Sequence, residues 1–240
     1  MASPIRKRRL EHHPEVEQTA EPGGIRDLML GLNDGLVATF AVTSGVAAAF
    51  ASPRIVVMAG MAEMLGGAIS MAAAAFISSR SQVEYYESEM VRERDEMKRW
   101  PDRERDEVRA IYRKKGFGGP LLDQIVSHIT ADPERWGDVM MREELGLHHE
   151  NLEVPHHSAL RVGLSYLGGA AIPILPYLLI NAPYTITASA GLTILALFIV
   201  GAAKTLVTTR SWWRSGLESL AIGVAAAAVT YSAGRIFGTR

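Results

Sequence analysis

Apolar and polar positions are segregated along this 240-residue chain rather than interleaved. Five stretches are nearly free of charge: Leu28–Phe50, which has only Asp34, Ile55–Ile77, which has only Glu63, Ala159–Ile180, Tyr184–Ala203 and Leu217–Tyr231. Each fills or approaches the roughly 17–25 residues that a helix needs to cross a bilayer core. The pattern predicts an all-α membrane protein with five transmembrane helices. The first covers about Ile25–Phe50, and Ala51-Ser52-Pro53-Arg54 turns the chain into the second. No breaker separates Ile77 from the charged stretch Ser78–Arg99, so the second helix runs on into polar sequence.

Four segments follow from this reading. Residues 1–24 are a disordered basic tail, 25–80 hold the first two spans, 81–157 are a helical polar insert, and 158–240 hold the last three spans. Within the insert, Trp100-Pro101 divides two Glu-rich helices and Gly116-Phe117-Gly118-Gly119-Pro120 makes a second break. Leu121–Thr130 reads as a short amphipathic helix. Asp132 then caps another helix, with Pro133 at its first position, and that helix carries Met140, Met141 and Glu144 to an end near Gly146. Spans three and four turn at Asn181-Ala182-Pro183, with Tyr177 and Tyr184 as interfacial aromatics. A loop over Lys204–Gly216 precedes the fifth.

Charge then orients the spans. A cytoplasmic N-terminus places Arg6–Arg9, Arg26, Lys204, Arg210, Arg214 and the insert inside. Arg54, Arg235 and Arg240 are left outside, as the excess of Lys and Arg in cytoplasmic loops requires. No apolar run follows Arg6-Lys7-Arg8-Arg9 before Leu28, so the tail is not read as a cleaved signal, and the expected location is a bacterial inner membrane. A net charge of −1 provides no field for nucleic acid. The absence of cysteine removes thiolate metal sites and disulfides.

The chemistry lies in the carboxylates. An ionisable side chain in hydrocarbon costs at least about 2.5–3.5 kcal/mol, so Glu63 and Asp34 are expected to face a path and a partner. For Asp34 the competing reading is a solvated helix end. Asn33-Asp34-Gly35 suits a locally opened helix lining a cavity. Met71 follows Glu63 by eight residues, about 80° around the helix. On pattern alone it reads as packing, as do Met58, Met61 and Met64. Gly66-Gly67 predicts close helix contact within a chain or across a dimer.

In the insert, Glu93 and Glu96, then Glu104 and Glu107, place paired carboxylates on helical faces. Met140, Met141 and Glu144 share a third. Carboxylate with thioether suits divalent transition metals, although Glu among so many Arg and Lys also reads as a solvated, salt-bridged helix. His12-His13, His148-His149 and His156-His157 lie in tail or loop-like sequence and are not assigned as ligands. Glu-x-x-His occurs once, at Glu153-Val154-Pro155-His156, without the second copy that a di-iron bundle needs, and there is no phosphate loop and no nucleophile–base arrangement, so an enzyme is the weaker reading.

At these residues the chain resembles the vacuolar iron transporter family. The likeness runs from Gly24 to Arg240, through Leu30-Gly31-Leu32-Asn33-Asp34-Gly35-Leu36 and Phe40-Ala41-Val42-Thr43-Ser44-Gly45. It continues in Ala59-Gly60-Met61-Ala62-Glu63, Gly67-Ala68-Ile69-Ser70-Met71, Glu143-Glu144-Leu145-Gly146-Leu147, Gly168-Gly169 and Ile172-Pro173-Ile174-Leu175-Pro176-Tyr177. Thr39 and Asn33 depart from it, standing where many members have Pro and Ser. The resemblance implies a homodimer of five-helix subunits that exchanges Fe²⁺ for protons and clears it from the cytosol; the ligand types extend the expected cargo to Mn²⁺, Co²⁺ or Zn²⁺. The resemblance assigns Asp34, Glu63 and Met71 to the translocation path. It assigns Glu93, Glu96, Glu104, Glu107, Met140, Met141 and Glu144 to a cytoplasmic metal site. The alternative is a membrane-anchored metal buffer or sensor that does not transport.

Overall fold

The computed structural model describes residues 22–50, 52–180, 184–206 and 211–238. The expectations for Met1–Glu21, Asn181–Pro183 and Arg210 lie outside these residues. Among the described residues the chain is helical throughout, with eight α-helices. These are α1 (Pro22–Ala49), α2 (Pro53–Arg99), α3 (Pro101–Lys114), α4 (Gly119–Thr130), α5 (Pro133–Val139), α6 (Pro155–Leu179), α7 (Thr185–Ala203) and α8 (Trp212–Phe237). Five of them, α1, α2, α6, α7 and α8, are long and apolar enough to cross a membrane.

Helix α2 sets the architecture. At 47 residues it is about 70 Å long, more than twice the ~30 Å bilayer core. Its apolar half, Ile55–Ile77, fits the core, and its polar half must project beyond it. Arg80 pairs with Glu84 at 2.7 Å and Arg99 with Asp95 at 2.9 Å, one turn apart, which supports a helix in water. Pro101 then opens α3, because it has no N–H to continue the ladder.

Around the projecting half, α3, α4 and α5 enclose a small apolar core of Met97, Val108, Leu122, Val126, Ile129, Trp136 and Met140. The Asp132 carboxylate accepts from the N–H groups of Glu134 (2.9 Å) and Arg135 (3.1 Å), so it caps α5 as expected. The helix expected to carry Met140 to Glu144 is not one α-helix. After Val139 the chain widens into a π-turn over Met140–Glu144, where the Leu145 N–H reaches the Met140 carbonyl at 3.2 Å. Gly146 follows at φ 67°, a conformation that favours glycine.

In the membrane half, α6 packs on α1 and α2, and α8 covers α1. The α1–α6 crossing is made by missing side chains. A Cβ at Gly35 would stand 2.3 Å from the Tyr166 carbonyl oxygen, and one at Gly169 would stand 2.2 Å from that of Leu32. This corrects the reading of Asn33-Asp34-Gly35 as an opened segment. Helix α1 is unbroken there, and Gly35 lets two backbones approach instead of loosening one.

Three further expectations shift. Helix α8 begins at Trp212, so the last loop ends before Gly216, because Trp212 and Trp213 extend the helix. Tyr177 is buried and only Tyr184 is exposed. Met64 packs in the core against α6, whereas Met58 is 67% exposed and lies outside that core.

Candidate metal and transport sites

The polar half of α2 runs beside α3, and Pro101 reverses the chain so that their carboxylates converge. Oxygens of Glu93, Glu96 and Glu104 lie within 4.8 Å of one another. Glu93 is 2% exposed and Glu104 is fully buried. One oxygen of Glu93 and both oxygens of Glu104 have no hydrogen-bond partner. Buried carboxylates are normally paired or bound to a cation, so three orphaned oxygens in one cluster fit a divalent ion.

The electrostatics agree. Burial, then the neighbouring Glu144, pushes the Glu93 carboxyl up to about 7. Burial, then Glu107, pushes Glu104 up to about 7. Glu144 is also raised, by burial and then by Glu107. Mutual repulsion of this kind is what a cation would relieve.

Arg92 supplies part of that relief. Its guanidinium reaches Glu89 at 2.6 Å, Glu93 at 3.3 Å and Glu96 at 4.0 Å, while Arg103 holds Glu107 at 3.2 Å. Both arginines come from the exposed faces of their helices.

The remaining insert residues occupy different settings. Met140 and Met141 are both fully buried, but Met140 belongs to the apolar core of the insert. Glu107 is half-buried, and Glu144 is exposed as a whole residue although its carboxyl is partly desolvated beside Glu107. Both act on the cluster through charge.

Inside the membrane half, Glu63 accepts a hydrogen bond from the Tyr166 hydroxyl at 2.8 Å, and Asp34 lies within electrostatic range of Glu63. Tyr166 is 1% exposed and forms a cluster with Ala68 and Ala170, on which Met64 and Met71 pack. Asp34, Glu63 and Met71 are thus gathered around one tyrosine, and each is partly exposed. Gly67 makes room for the ring, since a Cβ there would stand 2.1 Å from the Tyr166 hydroxyl.

Sequence reading missed Tyr166. The signal was present, a phenol in mid-span with Ser165 before it and Gly168-Gly169 soon after. Its partner, Glu63, is 103 residues away, and only the packing of α6 on α2 joins them.

A helical membrane protein with a part-buried acid–phenol pair between its spans and a carboxylate cluster outside them has the features of a membrane protein that handles cations. The VIT family profile matches residues 25–235, and the chain belongs to that family. It is 36% identical over 234 residues to vacuolar iron transporter 1 of Arabidopsis thaliana, covering 97% of this chain and 93% of the relative. The Oryza sativa subsp. japonica protein of the same name is 34% identical, covering 95% and 91%. Protein CCC1 of Saccharomyces cerevisiae is 27% identical, covering 89% and 69%.

Proposed function

We propose that this protein is a membrane transporter that moves Fe²⁺ out of the cytoplasm in exchange for protons, with Mn²⁺, Co²⁺ and Zn²⁺ as further cargo. The observation that carries the reading is the span of α2. One continuous helix holds Glu63 in its membrane half and Glu93 and Glu96 in its polar half, so a collecting site and an intramembrane carboxylate share a rigid rod. Membership of the VIT family and the names of the relatives support iron as the cargo.

In this scheme the insert collects metal at Glu93, Glu96 and Glu104, assisted by Glu107, Glu144 and the Met140 and Met141 thioethers. Metal then passes to Asp34, Glu63 and Met71. A carboxylate in a low-dielectric site cannot remain ionised alone, so each departing cation is replaced by protons and the exchange is inherent in the site. The Tyr166 hydroxyl donates to a Glu63 oxygen, a bond that a protonated carboxyl can still accept, and so holds Glu63 in place between loads. The partial exposure of Asp34, Glu63 and Met71 in one chain supports a homodimer in which a second copy closes the path. The distribution of Arg26, Lys204 and Arg214 supports a cytoplasmic insert, and in a bacterial cell this membrane is the inner one.

The test is Fe²⁺ entry into proteoliposomes carrying an internal pH dye. Wild type should show metal entry with opposed proton movement, lost in Glu63→Gln and slowed at low metal in Glu104→Gln. Metal binding without flux in wild type would favour the membrane-anchored buffer or sensor instead.

A further inference from the structure

A second pair of carboxylates, used by neither site above, lies where the insert rejoins the membrane helices. Asp27, in the second turn of α1, is 2% exposed. Glu153 lies in the short link before α6, and its side chain is 14% exposed. The two carboxyl groups come within hydrogen-bonding range of each other. Oδ2 of Asp27 and both oxygens of Glu153 have no hydrogen-bond donor.

Two guanidinium groups face the pair, Arg26 from α1 and Arg161 from α6. Arg26 approaches Asp27 at 3.8 Å and Arg161 approaches Glu153 at 3.9 Å. Both distances exceed the ~2.7–3.2 Å of a hydrogen bond, so neither guanidinium satisfies the orphaned oxygens. The guanidiniums offset only part of the cost of a buried Glu153 charge beside a second carboxyl, whereas one proton converts acceptor against acceptor into donor and acceptor.

We infer that Asp27 and Glu153 form a proton-binding carboxyl pair at the insert end of the membrane bundle, holding one proton between them. A proton fits better than a metal ion. Two guanidinium groups stand beside the pair and repel a divalent cation, and two carboxyl groups are few ligands for a hard ion that prefers at least six oxygens. A shared proton needs only the two facing oxygens.

The position suggests its use. Asp27 precedes Asp34 by seven residues, two turns along the same face of α1 and about 10 Å away. The Ser165 hydroxyl meets the Asp27 carbonyl at 3.5 Å, one residue from Tyr166, whose hydroxyl binds Glu63. The pair therefore stands on the line between the insert and the membrane carboxylates, as a station where protons exchange with the insert side. That use rests on the proton exchange proposed above, whereas the bound proton does not.

The test is infrared difference spectroscopy on the full-length protein in lipid nanodiscs, with no metal and no gradient, as pH is stepped upward. Wild type should show a protonated-carboxyl band, shifted in D₂O, that is lost in both Asp27→Asn and Glu153→Gln and kept in Glu63→Gln. The amide of Glu153→Gln can still donate to Asp27, so the fold is retained while the titration disappears. A wild-type spectrum indistinguishable from Glu153→Gln would overturn the proposal. So would loss of the Glu153-dependent band on adding Mn²⁺ to protein carrying Glu93→Gln and Glu104→Gln, because the pair would then be a metal site. Metal flux without proton counterflow in proteoliposomes would refute the exchange and leave this band untouched, so the two failures are separable.

Discussion

Metal binding by the insert should depend steeply on pH near neutrality. Glu93 and Glu104 each titrate at about 7 because they are buried beside other carboxylates, and a metal can be ligated only by their ionised forms. Taking the two groups at pKa 7 without their mutual repulsion, the doubly ionised fraction falls about 100-fold between pH 8 and pH 6, equivalent to ~2.7 kcal/mol of binding free energy. Mn²⁺ titration of the full-length protein, followed by electron paramagnetic resonance at several pH values, reads this directly. Glu104→Gln removes one of the two titrations, so the dependence over the same range should shrink to about 10-fold, on top of weaker binding throughout. If the wild-type dissociation constant were flat from pH 6 to 8, the buried carboxylates would not be the ligands, or would not hold protons in the absence of metal.

The same shifts make the metal-free insert less stable as pH rises. The folded chain keeps protons up to about 7 that the unfolded chain releases near 4.5, so stability is fully present below the unfolded value and is lost as pH climbs through the folded one. Protection factors in α3, with the base catalysis of intrinsic exchange divided out, should fall across that window, less so in Glu104→Gln, and constant protection would contradict the assignment. Gly35→Ala puts a Cβ 2.3 Å from the Tyr166 carbonyl oxygen, a backbone atom that cannot swing aside. It should lower thermal stability by about 1–3 kcal/mol or prevent assembly, and normal melting would refute the tight crossing. Tyr166→Phe keeps the ring but loses the 2.8 Å bond to Glu63. It should move the pH profile of metal uptake without unfolding the protein, while an unchanged profile would make Tyr166 a packing residue only.

Much of this molecule could be read from local sequence. Spans were visible because a run of apolar residues in a bilayer must be a helix, every backbone group being satisfied within the segment. The junction at Ile77–Ser78 was visible because nothing there breaks a helix. The Asp132 cap and the break at Trp100-Pro101 depend on neighbours a few residues away, so they too were legible.

What the sequence left open depended on distance in the chain. Whether Glu93 and Glu104 are solvated helix surface or a buried cluster is decided by α3 folding back against α2, which strips both carboxylates of water. Gly35 could have meant a flexible joint or a close crossing, and only the backbone of α6, 131 residues further on, made it a crossing. Tyr166 meets Glu63, and Asp27 meets Glu153, for the same reason. Hydrophobicity and local geometry are properties of neighbouring residues, whereas the burial and pairing of charge are set by whatever the rest of the chain brings alongside.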